Sequence, residues 1–539
     1  MPREDSFPTP QASPLAPVEQ VFHSLLAAGA VVALGSIAGL LAARVMRRCG
    51  LHWSWGLAGL LAAPVASWVL PPSATALELA ALSATALARR WHREDLDAGR
   101  DLAEVASARR SPLEVLRSGA RRVALRRRER TRAGWFRGDE LIVGRDEANR
   151  LATIPLGGSG GGTHTLVLGA TGSGKTMTQA WIAVRAIERG MGAIIVDPKG
   201  DRTLHAAARA AARSRGSAFV QWTPRGGSVY NPYARGTDTE IADKALAGER
   251  FTEPHYLRQA QRYLGHAVRA LRHAQLEVSL HGLVHALDPA WLEHLARTLP
   301  EREGWATHAY LDSLTPRQCR DLAGVRDRLA ILAESDLGRW LDPASARERS
   351  FDLLDAVRAR SVVYFSLDAD SRPLLTQMLG SAIVQDLQTT IAALQGRPLA
   401  TLALIDEFSS LSADRVVSLF GRARSAGVSL VLGTQELADL RLPGRERALE
   451  QVLGNVTTLI AHRQVLPDSC ALVAGLAGTR GAWRTSRHSD GRSTRTRSSE
   501  ALLAPERLTR LAPGTAAVNV LTGTSGARVV RIWSSVDNH

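Results

Sequence analysis

The sequence predicts an α/β fold: a parallel sheet with helices on both faces, interrupted by an inserted all-helical domain and preceded by an N-terminal transmembrane helical hairpin. Three observations carry this. A glycine-rich loop joins an apolar run to a helical pattern at residues 164–189, short apolar runs alternate with helical patterns over 193–222 and again over 362–461, and two long stretches before residue 71 hold no charged residue. At 539 residues the chain has room for two or three domains, and 45% apolar residues exclude a disordered chain. Cys49, Cys319 and Cys470 lie far apart with no C-x-x-C spacing, which excludes a disulfide framework and a cysteine zinc site and fits a reducing compartment.

Residues 1–20, rich in Pro and Ser, read as a flexible tail. Residues 21–43 then run without Asp, Glu, Lys or Arg, long enough to cross a bilayer as a helix. After Arg44, Arg47 and Arg48 comes a second apolar stretch, 53–70, closed by Pro71 and Pro72. Gly35 with Gly39, and Ala58 with Ala62, place small residues four apart, which lets the two stretches pack closely as a hairpin over residues 21–72. Residues 73–88 are alanine-rich and contain Glu78; a midspan carboxylate is costly, so this stretch reads as the start of a cytosolic helix, and two crossings are expected rather than three. The positive-inside tendency pulls the other way, because two crossings leave Arg44, Arg47 and Arg48 outside. Residues 73–135 form a basic helical stem suited to an anionic leaflet. Residues 109–137 hold eleven arginines against Glu114 and Glu129, and 480–497 hold six against Asp490; these two patches carry nearly all of the net charge of +15.

Past a short strand at 139–144 and the glycine linker 157–162, residues 165–168 read as a buried strand that ends in Gly169-Ala170-Thr171-Gly172-Ser173-Gly174-Lys175-Thr176. At this spacing the loop's backbone N–H groups wrap a triphosphate at a helix N-terminus, Lys175 reaches the outer phosphates and the Thr176 hydroxyl ligates Mg2+. This is a P-loop, and ATP with Mg2+ is the cofactor set it implies. Lysine is otherwise nearly absent: Lys175, Lys199 and Lys244 stand beside 64 arginines, so a compact ammonium was kept where a planar fork does not serve.

Strand signals at 193–196 and 218–222 flank a helix at 203–213. From 238 to 341 they vanish and helical patterns such as 256–271 and 289–295 take over; strands return at 362–367, 401–405, 428–433 and 457–461. Residues 238–341 are therefore expected as an insertion into a sheet domain made of 136–237 and 342–539. The apolar strand 401–405 ends in Asp406 and Glu407, suited to the Mg2+ shell and to polarising an attacking water as general base. The strand 428–433 ends in Thr434-Gln435, where Gln435 can sense the γ-phosphate. Between them lie Arg422 and Arg424, either surface charges or a source for an arginine that reaches into a neighbour's site.

Together, Gly-Ala-Thr-Gly-Ser-Gly-Lys-Thr at 169–176, Val-Asp-Pro-Lys-Gly-Asp at 196–201, Tyr-Asn-Pro-Tyr at 230–233, Leu-Ile-Asp-Glu-Phe at 404–408 and Arg-Ser-Ala-Gly-Val-Ser-Leu-Val-Leu-Gly-Thr-Gln at 424–435 resemble the coupling proteins of type IV secretion, the TraD/TraG type, within the HerA/FtsK group of RecA-like hexameric motors. The resemblance runs from about residue 160 to residue 535. It implies a RecA-like ATPase domain in the cytoplasm, a multi-pass inner-membrane anchor, a homo-hexameric ring, and passage of DNA, single-stranded by preference, from a relaxase to a conjugative secretion channel. By the same resemblance Lys175 and Thr176 bind nucleotide, Asp406 and Glu407 serve Mg2+ and hydrolysis, Gln435 senses the γ-phosphate, and Arg424 is the finger in trans. The loop between the two apolar stretches, about nine residues, is too short for the small periplasmic domain common in that family. Two other readings stay open: a double-strand DNA pump of the FtsK kind, and a platform that recruits a protein substrate while ATP hydrolysis remodels the complex.

Overall fold

A computed structural model describes residues 16–49, 51–59, 74–97, 134–157, 161–248, 251, 253–411, 413–441, 447–487, 493–522 and 526–534. The chain divides into two compact units, Met1–Thr131 and Arg132–His539.

In the first unit the helix Ala16–Arg48 carries the first apolar stretch. Its segment Gln20–Arg48 is, among the described residues, the one helix long and apolar enough to cross a membrane, and Leu25, Leu34 and Leu41 are exposed along it. A second helix, Ala74–Asp97, packs against it. A Cβ on Gly35 would lie 2.9 Å from the Ala76 carbonyl oxygen, and one on Gly39 would lie 1.9 Å from Ser83 Oγ, so the glycines set the approach. Gly35 and Gly39 do pack closely; among the described residues their partner is the helix 74–97, while residues 60–70 of the second apolar stretch lie outside them. Contacts advance together along both helices, Gly35 with Ala76, Gly39 with Ser83, and Arg47 over the Trp91 ring at 5.4 Å from its centroid, so the two run parallel. Gly56 and Gly59 meet Thr85 and Ala81 in the reverse order. Residues 60–73 and 98–133 lie outside the described residues, so the two-helix span expected over 21–72 is seen through its first helix alone.

The second unit is built on one mixed sheet. In chain order its first strands are β1 (Phe136–Arg137), β2 (Glu140–Asp146), β3 (Leu151–Pro155), β4 (His164–Leu168), β5 (Gly192–Asp197), β6 (Phe219–Trp222), β7 (Val229–Tyr230) and β8 (Ser350–Phe351). There follow β9 (Val362–Ser366), β10 (Thr401–Ile405), β11 (Val428–Thr434), β12 (Thr458–Ala461), β13 (Thr479–Arg487), β14 (Ser493–Ala501), β15 (Thr515–Val520) and β16 (Arg528–Ile532). Strands β6-β9-β5-β10-β11-β4-β12 are parallel, in that order. Then β15, β16 and β2 extend the edge antiparallel, and β1 and β3 both pair with β2. Each apolar run read as a strand between 165 and 461 falls in the parallel part, where burial on both faces demands apolar residues at every position. Alternate residues feed two cores: Leu166, Leu168, Ile194, Val196 and Ile405 enter one, while Val167, Ala193, Ile195, Leu402 and Leu404 enter the other. The sequence carries no strand expectation after 461, because alanines and Asn519 in β15 and arginines in β16 blur the alternation.

Between β7 and β8 the chain is helical: Asp238–Ala245, Pro254–His273, Leu280–Ala286, Pro289–Ala296, Glu301–Asp312 and Pro316–Ala333. Thr237 with Glu240 and Thr315 with Gln318 form capping boxes that start the first and last of these. β7 and β8 pair in parallel, Val229 with Ser350 and Tyr230 with Phe351, so the two ends of the insertion lie side by side. The inserted helices share one core with the sheet, since Leu264, Leu283 and Leu329 cluster with Trp222, Tyr230 and Phe365. Lys244 pins this junction. Wholly buried, its ammonium donates to the Pro232 carbonyl at 3.0 Å, the Arg235 carbonyl at 2.6 Å and Asp386 Oδ1 at 2.6 Å, while the Tyr230 hydroxyl donates to Asp386 Oδ2 at 2.6 Å. Burial pushes the Asp386 carboxyl up and Lys244 pulls it back; burial also raises the Tyr230 hydroxyl, which keeps its proton and remains a donor.

Candidate nucleotide site at the strand tips

Strands β4, β11, β10 and β5 are parallel neighbours, so their C-terminal tips meet along one edge of the sheet. β4 ends at the glycine loop, and the helix Lys175–Glu188 starts directly after it. Gly174, its N-cap, has φ +108, and a Cβ there would also lie 2.8 Å from the Gly514 backbone nitrogen. No side chain caps this helix, which leaves its first N–H groups uncapped in the loop. Ser173 Oγ is buried and has no hydrogen-bond partner. Uncommitted donors at a helix N-terminus fit a bound phosphate.

Lys175 Nζ donates to Asp406 Oδ1 and to Glu407 Oε1, each at 2.7 Å. Burial acts to lower the Lys175 ammonium, but the two carboxylates overcome it and hold its pKa above the ordinary value. Glu407 has φ +42, a left-handed conformation that costs a non-glycine residue on the order of 1 kcal/mol or more and is characteristic of functional sites. Gln435 bridges two partners: its Nε2 donates to Glu407 Oε1 at 3.2 Å, and its Oε1 accepts from Thr171 Oγ1 at 3.4 Å. The folded chain thus brings together the P-loop, Asp406, Glu407 and Gln435. Thr176, half-buried in the first helical turn, stands one residue beyond Lys175. Among the described residues no cluster of three His, Cys, Asp or Glu could hold a metal alone. The donor set of one hydroxyl and one carboxylate instead fits Mg2+, which takes its remaining ligands from phosphate and water.

Several residues of the site escape sequence reasoning. Gln179, one turn into the helix, donates from Nε2 to Asp406 Oδ1 at 2.9 Å. Gly433 makes room for that contact, since a Cβ there would lie 2.1 Å from Gln179 Nε2 and 2.4 Å from Asp406 Oδ1. The signal was present: a glycine inside an otherwise unbroken apolar strand marks a close approach. Lys199, on the loop after β5, donates to Glu407 Oε1 at 3.0 Å. His462, at the end of β12, supports the P-loop helix from below. Burial lowers its pKa to about 4, so it is neutral; the Thr515 carbonyl beside Nδ1 can only accept, which assigns the proton to Nδ1 and makes Nε2 the acceptor for the Thr178 hydroxyl at 2.8 Å.

Arg424 is not part of this assembly. It is exposed in the turn before β11, where its carbonyl accepts from Gly162 N at 2.9 Å. That is the N-terminal end of β4 and β11, about 20 Å along β11 from the tips that carry Gln435 and the P-loop. The basic patch at 480–497 forms a separate antiparallel pair, β13 with β14, off the main sheet. Trp483 pairs with Arg497, Thr485 with Arg495 and Arg487 with Ser493, so these positions share one face of the hairpin. Residues 488–492, with Arg492, lie outside the described residues.

Two family models match this chain: "TraM recognition site of TraD and TraG" over residues 400–513, and "Helicase HerA, central domain" over 161–216. The first contains Asp406, Glu407, Arg424, Gln435 and the hairpin; the second contains the P-loop and Lys199. Over these two stretches the chain matches the TraD/TraG-type coupling proteins and the HerA-type P-loop ATPases. The type 4 coupling protein DotL of Legionella pneumophila is 46% identical over 54 residues, which are 10% of this chain and 7% of DotL. An uncharacterized protein of Mycoplasma pneumoniae is 32% identical over 101 residues, 19% of this chain and 67% of that protein. Among solved structures, the bacterial conjugative coupling protein TrwBdeltaN70 in its unbound monoclinic form superposes with a TM-score of 0.54 at 18% identity, over 73% of this chain and 88% of that one. TrwB in complex with ADP and Mg2+ gives 0.53 at 18%, over 69% and 85%, and VirB4 of Thermoanaerobacter pseudethanolicus gives 0.51 at 14%, over 75% and 98%. At these identities the likeness to the coupling proteins of known structure is one of fold.

Proposed function

We propose that the chain is a membrane-anchored ATPase motor that receives a relaxase-bound single DNA strand and feeds it to a type IV conjugative secretion channel. The reading rests on the convergence of Lys175, Asp406, Glu407 and Gln435 at the end of a P-loop. ATP and Mg2+ would be held by the loop 169–174, Lys175, Thr176 and Asp406, and supply the phosphoryl group and its activation. All three donors to Glu407 reach Oε1, which leaves Oε2 to take a proton from water. Gln435, suspended between Thr171 and Glu407, orients that water. Arg424, remote from its own site, acts on a neighbouring subunit, which requires a ring, a homo-hexamer by the family resemblance. An Arg424→Ala subunit mixed with a Glu407→Gln subunit then partly recovers hydrolysis; mixed rings with no recovery would assign Arg424 to the surface.

The arginine hairpin β13–β14 and the basic stem supply phosphate contacts, and the insertion 238–341, packed on the sheet domain 136–237 and 342–539, meets partner proteins. The anchor crosses the inner membrane more than once. Two parallel helices joined by a segment that first turns back are suited to three crossings, which also puts Arg44, Arg47 and Arg48 on the same side as Arg89 and Arg90, in the cytoplasm. A cysteine placed near residue 10 is then labelled by an impermeant maleimide in intact cells; protection until lysis means two crossings.

The deciding experiment is ATP hydrolysis by the full chain in detergent with single-stranded DNA, duplex or neither. Stronger stimulation by single strands is the expected result. Stronger stimulation by duplex identifies a pump of the FtsK kind, and none at all a platform for protein substrates.

A further inference from the structure

Glu407 Oε1 accepts three hydrogen bonds, from Lys175, Lys199 and Gln435, and each donor comes from a different element. Lys199 reaches it through sheet order alone. β5 and β10 are parallel neighbours with Val196 opposite Ile405, so the residues just past both tips come together. The loop carrying Lys199 is fixed from within. The Asp197 carboxylate accepts the backbone N–H groups of Lys199 at 3.0 Å, Gly200 at 2.8 Å and Asp201 at 2.5 Å, and the Tyr364 hydroxyl at 2.5 Å. Gly200 takes φ +72, where a Cβ would meet Ser366 Oγ at 2.9 Å. Such a loop holds its lysine in one place.

Composition supplies a second, independent observation. In a chain with three lysines and 64 arginines, every lysine ends on a carboxylate: Lys175 on Asp406 and Glu407, Lys244 on Asp386, Lys199 on Glu407. We propose that Lys199 is a positioning residue for hydrolysis: it holds Glu407 in place by its ammonium once Lys175 is engaged by phosphate. The role rests on the ATPase reading above, in which Lys175 turns to the phosphates of the nucleotide and away from Glu407. Lys199 and Gln435 then remain as the two donors on Oε1, and Lys199 is the one that carries charge. Unlike Lys175 and Lys244, which are buried, the Lys199 side chain is 44% exposed and meets one acceptor among the described residues, so at this lysine, against the compositional expectation, a longer cation has room to do the same task.

The test uses the full chain in detergent and the variants Lys199→Met, Lys199→Arg, Glu407→Gln and Lys175→Ala. Binding of a fluorescent ATP analogue with Mg2+ is measured beside steady-state hydrolysis. Lys199→Met is expected to lower kcat about 10- to 100-fold while KM and analogue affinity stay within about twofold, as for a misplaced catalytic group. Lys199→Arg should recover most of kcat. Adding Lys199→Met to Glu407→Gln should cost nothing further, because the lysine acts through that carboxylate. Unchanged kcat in Lys199→Met, or a raised KM at unchanged kcat, overturns the proposal; the latter identifies a phosphate contact instead. A chain that binds no nucleotide, or that binds it equally well as Lys175→Ala, overturns the ATPase reading and the role of Lys199 with it.

Discussion

The nucleotide site and the β13–β14 hairpin both use cationic side chains, and they use different ones. At the strand tips the cations are Lys175 and Lys199, and the Lys175 side chain is 9% exposed between two carboxylates. On the hairpin they are arginines, and the Arg480 side chain is 61% exposed beside Glu500. The difference lies in what each region asks of its charge. A buried site with several acceptors around one point needs a small ammonium whose protons can be redirected; Lys244, with three acceptors on one nitrogen, is the extreme case. An exposed cation such as Arg480, paired with one carboxylate, makes no such demand, and either kind of cation serves there.

This contrast can be broken at the buried end first. Lys244→Met strands Asp386 and is expected to destabilise the second unit by about 3–5 kcal/mol in denaturant unfolding, with no rescue by Lys244→Arg, because the fork cannot meet three acceptors at one point. Lys175→Arg keeps the charge yet should reduce hydrolysis about 10²- to 10³-fold, read in a coupled ATPase assay. An arginine that worked at either position would end the distinction.

Acid sharpens it. Burial lowers His164 and His462 to about 4, with Arg424 adding to the effect on His164. Both imidazoles bind protons more readily in the unfolded chain, so their contribution to stability is complete above about pH 6.5 and lost as pH falls toward 4, by on the order of 3 kcal/mol apiece at most. Thermal melts of the second unit between pH 7 and 4 should show this loss, and His462→Gln should remove part of it.

The smallest effect lies at the hairpin. Replacing Arg492, Arg495 and Arg497 by alanine is expected to lower the slope of log affinity against log salt by about 2 for single-stranded DNA, at about 0.7 per phosphate contact. Replacing the same three by lysine should leave the slope unchanged. A slope unmoved by alanine would make the hairpin a solvated face.

The sequence by itself determined whatever is written along one run of chain. The P-loop, the strand carrying Asp406 and Glu407, the strand ending at Gln435, the seven parallel strands and the block of helices are local patterns of apolar period and turn chemistry, and they lie where those patterns put them. Only the tertiary structure decided which of these runs are neighbours. Strand order in the sheet is not chain order, so nothing near Lys199 says that β5 lies beside β10 and delivers its ammonium to Glu407, or that Gly433 clears space for Gln179 from another element. The same holds for Lys244, whose partner Asp386 is 142 residues away, and for Arg424, whose spacing from Gln435 hides that a strand separates them by its whole length. In the first unit Gly35 and Gly39 announced a close helix contact, but a small-residue stripe fits any smooth partner, and the one it meets among the described residues is the helix 74–97.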